Sequence, residues 1–539
     1  MSDITNTDPS PAPSNQKIQQ RVTEQLKQTL QDTRHQGGAA KLASTPVSLM
    51  WFRNDLRVHD NPALWHSSQQ QRPVIALFID YEQQWRSHGL GEARIAFLRH
   101  AVKALGQQLA NRRIPLLIIP ANRFTDTTVI LETLSNHISL AELSFNIEYE
   151  VNERKRDIRV WRWAKANQIT TQRFHDQCLI PPGTVVTKSG TPFRVYSPFK
   201  KAWLNQVANY SIRPLSSPSI SKKNSRLAVQ QRQLFEILSQ YSNCSAHAGH
   251  SMTLDSESWP MTEASCHDQL QSFIERRVHH YHQDRDFPSK TATSQLSVAL
   301  AVGLLSPRQC FAESLRANEG KLNNGQAGLD SWINELIWRE FYRHITVAFP
   351  DVCKHRAFKP ETEYVVWRTP DTDTQAKADF EAWCEGKTGY PIVDAAQRQL
   401  LKTGWMHNRL RMITAMFLTK HLLIDWRLGE AFFNQHLMDA DFSSNNGGWQ
   451  WSASTGADGA PYFRIFNPIS QSEKFDPDGS FIAHFVPELT QLPAHSRHFP
   501  NPIERSQTQY PEAIVEHKFA RQRALEAFQN LSQPAEEAS

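Results

Sequence analysis

The sequence predicts two folds in one chain, a doubly wound α/β domain with a parallel sheet and then a large all-α domain, and three observations carry that expectation. Five short runs rich in β-branched and aliphatic residues, VSLMWF, PVIALFID, IPLLIIP, LAELSFN and ITTQRFHD, alternate with helical stretches between residues 46 and 178. Such alternation is the mark of parallel strands joined by crossover helices. A polar stretch dense in Ser, Gln and Asn, residues 211–258, has too few apolar side chains for a core of its own. From about residue 263 to 492, β-branched runs become rare and Trp, Leu and Met recur at helical spacing.

Taken in order, residues 1–45 read as a disordered extension, polar and without the apolar segment of a secretory signal. Within it, Gln16 to Asp32 places Ile18, Val22, Leu26 and Leu30 four apart, a helix that is marginal alone. Residues 46–178 form the α/β domain. Glu92 to Asn111 sets Ile95, Leu98, Ala101, Val102, Leu105 and Leu109 on one face, as a crossover helix requires. No Gly-x-Gly-x-x-Gly follows the first strand, so the dinucleotide fingerprint is missing and NAD is not expected. Residues 179–262 serve as an interdomain connector, 263–510 as the helical domain, and 511–539 as a C-terminal helix and tail.

Composition narrows the function classes. The 539 residues suffice for two large domains, and a net charge of +5 is compatible with a polyanionic partner. No apolar run approaches the length of a membrane span. Six dispersed cysteines without a Cys-x-x-Cys pair point to neither a zinc site nor a disulfide framework, and a reducing cytoplasm is the expected home. The run HHYH, His279 to His282, is not read as a metal site, because adjacent histidines diverge; no metal is expected.

The chemistry gathers in a few segments. Asn445 to Pro468, NNGGWQWSASTGADGAPYFRIFNP, sets amides and indoles beside Gly447 and Gly448. It reads either as a turn that lets backbone approach a flat ligand or as a tight loop under a Trp-rich core. In WINELIWREFYRH, Glu335, Trp338, Arg339 and Tyr342 share one helix face, either a buried ion pair with aromatic packing or a site. In GWMHNRLRM, Trp405, Asn408, Arg411 and Met412 fall on adjacent turns of a helix opening after Gly404. The run TATSQLSVAL offers hydroxyls and amides at a helix start, an N-cap or an anion site.

Together with MWFRNDLRVHDNPAL, EGKTGYPIVDAAQRQLLKTGWMHNRLRM and FNPISQSEKFDPDG, these segments closely resemble the DNA photolyase and cryptochrome family. The wording is most like a bacterial class I cyclobutane pyrimidine dimer photolyase. The resemblance implies light-driven repair, in which excited reduced FAD donates an electron to a dimer flipped out of UV-damaged DNA. It implies that FAD is held by Tyr281, Thr293, Ser294, Gln295, Leu296, Ser297, Trp332, Arg339, Asn408, Arg411, Asp439, Asp441 and Asn445, the last beside flavin N5. Glu335, Trp338, Asn408, Met412 and Trp451 correspond to lesion-contacting residues. Enzymes that repair 6-4 photoproducts resemble the chain less, carrying histidines where it has Asn408 and Met412. Trp449, Trp426 and Trp367 match the family's electron-transfer chain, with Trp383 the alternative outer end. Arg285, Arg409, Arg464 and Gln471 are the DNA-binding candidates. His88, Asn152, Glu153, Cys353 and Lys354 resemble the set that holds a methenyltetrahydrofolate antenna. The expected form is a monomer. Two related readings stand beside this one: a cryptochrome photoreceptor, and a DASH-type enzyme preferring single strands.

Overall fold

The computed structural model describes residues 46–136, 138–222, 259–529 and 531. The helix expected at 16–32, most of the polar stretch 211–258 and the last residues of the tail lie outside them.

The runs named above become the strands β1 (Val47–Phe52), β2 (Val74–Asp80), β3 (Leu116–Pro120), β4 (Leu140–Asn146) and β5 (Thr170–Phe174). All pair in parallel in the order β3-β2-β1-β4-β5, with Trp51 opposite both Leu77 and Phe145. Strand β1 is buried along its whole length because both faces of the sheet are covered. Its side chains alternate between two cores. Met50 and Phe52 join α1 (Pro62–Gln69) and α2 (Glu92–Ala110), whereas Val47, Leu49 and Trp51 join α3 (Thr127–Ser135) and α4 (Val151–Ala166). This alternation of apolar side chains is what makes the sheet doubly wound.

The Met50 face does not end at α2. Its core runs on into α5 (Tyr196–Val207), α6 (Glu263–Arg276), α7 (Ser297–Val302), α8 (Pro307–Ala317) and α9 (Ala327–Ala348). Glu340 of α9 fastens the stretch after β5 to this core, accepting hydrogen bonds from the Leu179 and Ile180 amides and, at 2.6 Å, from Trp203 Nε1. A separate core is built around Trp383, Trp426 and Trp449. It joins α10 (Thr374–Glu385), α11 (Pro391–Thr403), α12 (Asn408–Met416), α13 (Trp426–His436) and α14 (Phe442–Ala453). Helix α14 packs on α9, α12 and α13 and so bridges the two cores.

Two expectations change. Asn445 to Gly448 is not a turn but lies inside α14, whose N-cap Asp441 accepts the Ser444 amide at 2.9 Å. Glycine is unfavourable within a helix by about 1 kcal/mol relative to alanine, yet a Cβ at Gly447 would stand 2.2 Å from the Tyr342 ring of α9. Close helix packing, not a turn, requires it. Trp405 also precedes α12, which opens at Asn408 with His407 as its cap.

Candidate functional site

A cleft of about 620 Å³ opens beyond the carboxyl ends of β1 and β4. The chain leaves β1 toward β2 on one side and later returns to β4 on the other, and a crevice at that reversal is where open parallel sheets bind ligands. One wall carries Arg53 and Asn54 after β1, His88 after β2, and Glu148, Glu150, Asn152 and Glu153 at β4 and α4. The other wall comes from the helical region and carries Arg343, Cys353, Lys354, Glu430, Asp441 and Asn445. The walls touch at the rim, where a Cβ on Gly91 would meet Gln435 O at 1.8 Å.

All five expected antenna residues line this cleft. His88 Nε2 lies 2.9 Å from Gln84 Nε2 and 3.2 Å from Asn152 Nδ2, and its Nδ1 is 4.0 Å from Glu153. Asn434 of α13 donates to His88 O at 2.7 Å, tying the walls together. Burial, then His355, lowers the His88 pKa. Burial pushes the Cys353 thiol up to about 12. Burial raises the carboxyls of Glu150 and Glu153, with Glu148 and then Asp441 adding to the first and Glu150 and then Glu148 adding to the second. Glu148 itself is held low against burial by Arg156 and Arg53, at 2.7 and 3.7 Å.

At the helical wall Asp441 pairs with buried Arg343. Burial works against its charge, but Arg343 and Arg339 outweigh it and hold the carboxyl at about 2. Asn445 donates to Glu430 O at 3.0 Å. Asp439 pairs through one oxygen with Arg411 at 2.8 Å, while its buried Oδ1 has no protein partner. Arg339 donates to Gln177 O at 2.6 Å, and burial followed by Arg343 lowers it to about 10. Of the other residues expected at a flavin, Tyr281 and Trp332 pack edge-on or tilted against Phe273. Thr293 to Ser297 lead into α7, with Gln295 at a left-handed φ of 53° and Leu296 capping without a side-chain bond.

The expected lesion face is split. Glu335 pairs with Arg285, and Trp338 stacks on Tyr196 at 3.5 Å, whereas Arg339 turns toward the stretch after β5. Met412, Trp451 and Trp338 are each half-buried, while Asn408 is exposed. Two expected DNA contacts are engaged within the protein, Arg285 with Glu335 and Arg409 with Asp286 at 2.8 Å. Arg464 is exposed and Gln471 half-buried.

The tryptophans differ in depth. Trp449 and Trp426 are buried, and Trp449 meets Trp383 edge-on at 6.0 Å. Trp383 is buried too and donates to Thr414 O at 3.1 Å, but Trp367 is half-buried against Phe528. Sequence reasoning missed Arg343, Arg53 and the Glu148–Glu150 pair. The available signal for Arg343 was its place one turn beyond Arg339 on a helix face that must carry charge inward.

The comparisons with known proteins show the family of the chain. Residues 48–219 match the family described as DNA photolyase, and residues 332–530 match the FAD binding domain of DNA photolyase. The chain is 41% identical over 485 residues to deoxyribodipyrimidine photo-lyase of Escherichia coli, covering 89% of this chain and 98% of that one. A bacterial class III photolyase from Agrobacterium tumefaciens superposes with a TM-score of 0.78 at 32% identity, covering 92% of this chain and all of the other. An archaeal photolyase from Sulfolobus tokodaii, whose crystal structure is described as having two FAD molecules, superposes with a TM-score of 0.70 at 27% identity, covering 90% and 99%. Among the described residues no helix is long and apolar enough to cross a membrane.

Proposed function

The chain belongs to the DNA photolyase family, and from that membership we propose that it repairs cyclobutane pyrimidine dimers in DNA by light-driven electron transfer. The observation that carries this reading is the single cleft in which the five antenna candidates face Asp441 and Asn445. FAD, when bound in its reduced form, supplies the excited electron that opens the cyclobutane ring.

The residues present fit that cofactor. Asp439 keeps one buried carboxylate oxygen without a protein partner, and a Cβ on Gly448 would stand in open space. A flavin's pyrimidine edge offers N–H and C=O groups, and Asp439, Asp441 and Asn445 supply the complementary acceptors and amide. Arg339, Asn408 and Arg411 are its polar neighbours, Tyr281 and Trp332 its apolar flank, and Thr293, Ser294, Gln295, Leu296 and Ser297 receive its phosphates. Glu335 hydrogen-bonds the dimer and stabilises the charge it gains, an electrostatic role. Trp338, Met412, Trp451 and Asn408 wall the pocket for the flipped bases, while Arg464, Gln471, Arg285 and Arg409 follow the strand. Binding then requires Arg285 to exchange part of its pairing with Glu335 for phosphate.

The test is repair of a defined thymine dimer in duplex DNA by the reduced protein, in light and dark, with a 6-4 photoproduct control. Light-dependent loss of the dimer alone supports the reading. Flavin binding without repair would move it to a photoreceptor, and repair confined to single strands to a DASH-type enzyme. Glu335→Ala is expected to retain flavin and lose repair yield by about tenfold, as loss of one charge-stabilising contact implies.

Trp449, Trp426 and Trp367 carry electrons inward to regenerate reduced flavin. Trp367 is the outer end because it reaches solvent, whereas Trp383 is enclosed. Trp449→Phe is expected to block photoreduction of oxidised flavin while chemically reduced enzyme still repairs; loss of repair there would make Trp449 structural. Methenyltetrahydrofolate fits the polar sheet wall of the cleft through His88, Asn152 and Glu153, with Cys353 and Lys354 opposite. A second flavin is the alternative antenna, in view of the archaeal relative with two FAD molecules. The absorption spectrum of chromophore extracted from the purified protein separates them. The protein acts as a monomer in the cytoplasm, which light scattering on the purified chain and fractionation of its cells test.

A further inference from the structure

We propose that His59, Glu263 and His267 bind a divalent transition-metal ion of the zinc class at the seam between the sheet domain and the helical region. One nitrogen of each imidazole and one oxygen of Glu263 lie within 4.8 Å of one another, the sole such triad among the described residues. None of the three lines the cleft that holds the antenna residues, and none is among the residues assigned to flavin. His59 follows β1, while Glu263 and His267 lie one turn apart on α6 and project from the same face.

Gln309 of α8 shows where the histidines aim. Its Nε2 is 2.8 Å from His59 Nδ1 and 2.9 Å from His267 Nε2. Its orientation is fixed by the capping box of α8, in which Ser306 N donates to Gln309 Oε1 at 2.7 Å. An amide nitrogen only donates, so each ring presents an acceptor nitrogen, the form in which imidazole ligates a metal, and Gln309 holds the point between them in the metal-free chain. Glu263 is buried and held rigid by the amides of Val58 and His59 at 2.9 and 2.8 Å, yet each carboxylate oxygen keeps a second lone pair. Two imidazoles and one carboxylate, oriented by backbone donors, are a zinc-type set with a position left for water. Binding requires the ligands to close to about 3.4 Å apart, the spacing set by metal–ligand bonds of about 2.0–2.1 Å. The two half-buried rings can supply this by rotating off Gln309.

The charges around the site favour a cation. Burial lowers the His267 pKa, with His59 and Arg57 acting in the same sense and Glu263 and Glu313 against it. Glu263 then offsets part of a divalent charge, whereas Glu313 is already paired with Arg316 at 2.7 Å. No sequence spacing announces the triad, since His59 and Glu263 are 204 residues apart. The ion would staple the loop after β1 to α6 and α8, stabilising the folded chain by mass action.

The experiment uses the full flavin-containing chain, freed of metal by chelation. It is titrated with Zn²⁺ by calorimetry and with Co²⁺ by visible absorption. We expect one ion per chain, strong cobalt bands of low-coordinate type and a raised melting temperature. His59→Ala and His267→Ala should each weaken binding at least tenfold while leaving the flavin spectrum unchanged. His279→Ala/His282→Ala should bind as the parent does, which separates this site from surface histidines. Absence of saturable binding by the parent chain, or undiminished binding by both single variants, overturns the proposal. If either alanine variant fails to fold, His267→Asn gives the same decision.

Discussion

The two walls of the interdomain cleft hold their carboxylates in opposite ways. On the helical wall, Asp441 is locked to Arg343 and kept ionised down to about pH 2. On the sheet wall, Arg53 and Arg156 are taken by Glu148 and Asp157, and Glu150 and Glu153 are left with raised pKa values, first by burial and then by neighbouring carboxylates, Glu148 beside Glu150 and Glu150 beside Glu153. The same residue chemistry in one cavity thus gives a fixed negative charge on one side and protonatable carboxyls on the other. A wall with fixed charge suits a permanently seated cofactor whose redox state must be set. A wall whose carboxyls can donate or accept suits a ligand read by hydrogen bonds.

The largest effect should come from removing the fixed partner. Arg343→Met leaves the Asp441 carboxylate without its guanidinium in a desolvated site, which typically costs about 3–5 kcal/mol. Urea unfolding and flavin content of the purified variant would measure it. The double change Arg343→Met/Asp441→Asn should recover part of that loss, because no unpaired charge remains. A single-variant loss below about 1 kcal/mol would mean that the pair is no stronger than a surface ion pair, and the contrast between the walls would collapse.

Next in size is the pH dependence of the helical wall. Because the folded pKa of Asp441 lies below its ordinary 3.8, at about 2, the carboxylate adds stability that is fully present above pH 4. That contribution, about 2 kcal/mol from the size of the shift, is lost as pH falls from about 4 through 2. Asp441→Asn should remove this acid-limb loss and lower stability at neutral pH. An unchanged acid limb would assign it to other carboxylates.

How much of this was legible follows from which signals are local. The five strands were readable because β-branched runs of strand length, set between helical stretches, need only neighbours in sequence. The segment at Asn445 to Gly448 was misread because glycine beside asparagine is the local sign of a turn, whereas its cause is the Tyr342 ring of another helix. His88, Asn152, Glu153, Cys353 and Lys354 were nameable together only through the family resemblance. They come from three separate stretches that the fold brings to one cleft. Arg343 escaped notice because its partner Asp441 is 98 residues away. The histidine pair on Gln309 escaped for the same reason, while the conspicuous HHYH run is a local pattern without a convergent point.

The smallest effect sharpens the sheet wall. Glu153 has its folded pKa raised above its ordinary 4.5 by burial and by Glu150 and Glu148. The folded chain therefore holds a proton that the unfolded chain has released, and stability declines as pH rises from about 4.5 toward the folded value, then levels off. Glu153→Gln removes the ionisation, so the variant should gain on the order of 1 kcal/mol at alkaline pH and match the parent near pH 4.5. Chemical denaturation across that range reads the difference. The same substitution separates stability from recognition. If the sheet wall binds its chromophore through a carboxyl, Glu153→Gln should stabilise the chain and weaken chromophore retention at once. A variant that gains stability and keeps the chromophore would leave Glu153 as an electrostatic burden of the fold, and would move recognition to His88 and Asn152.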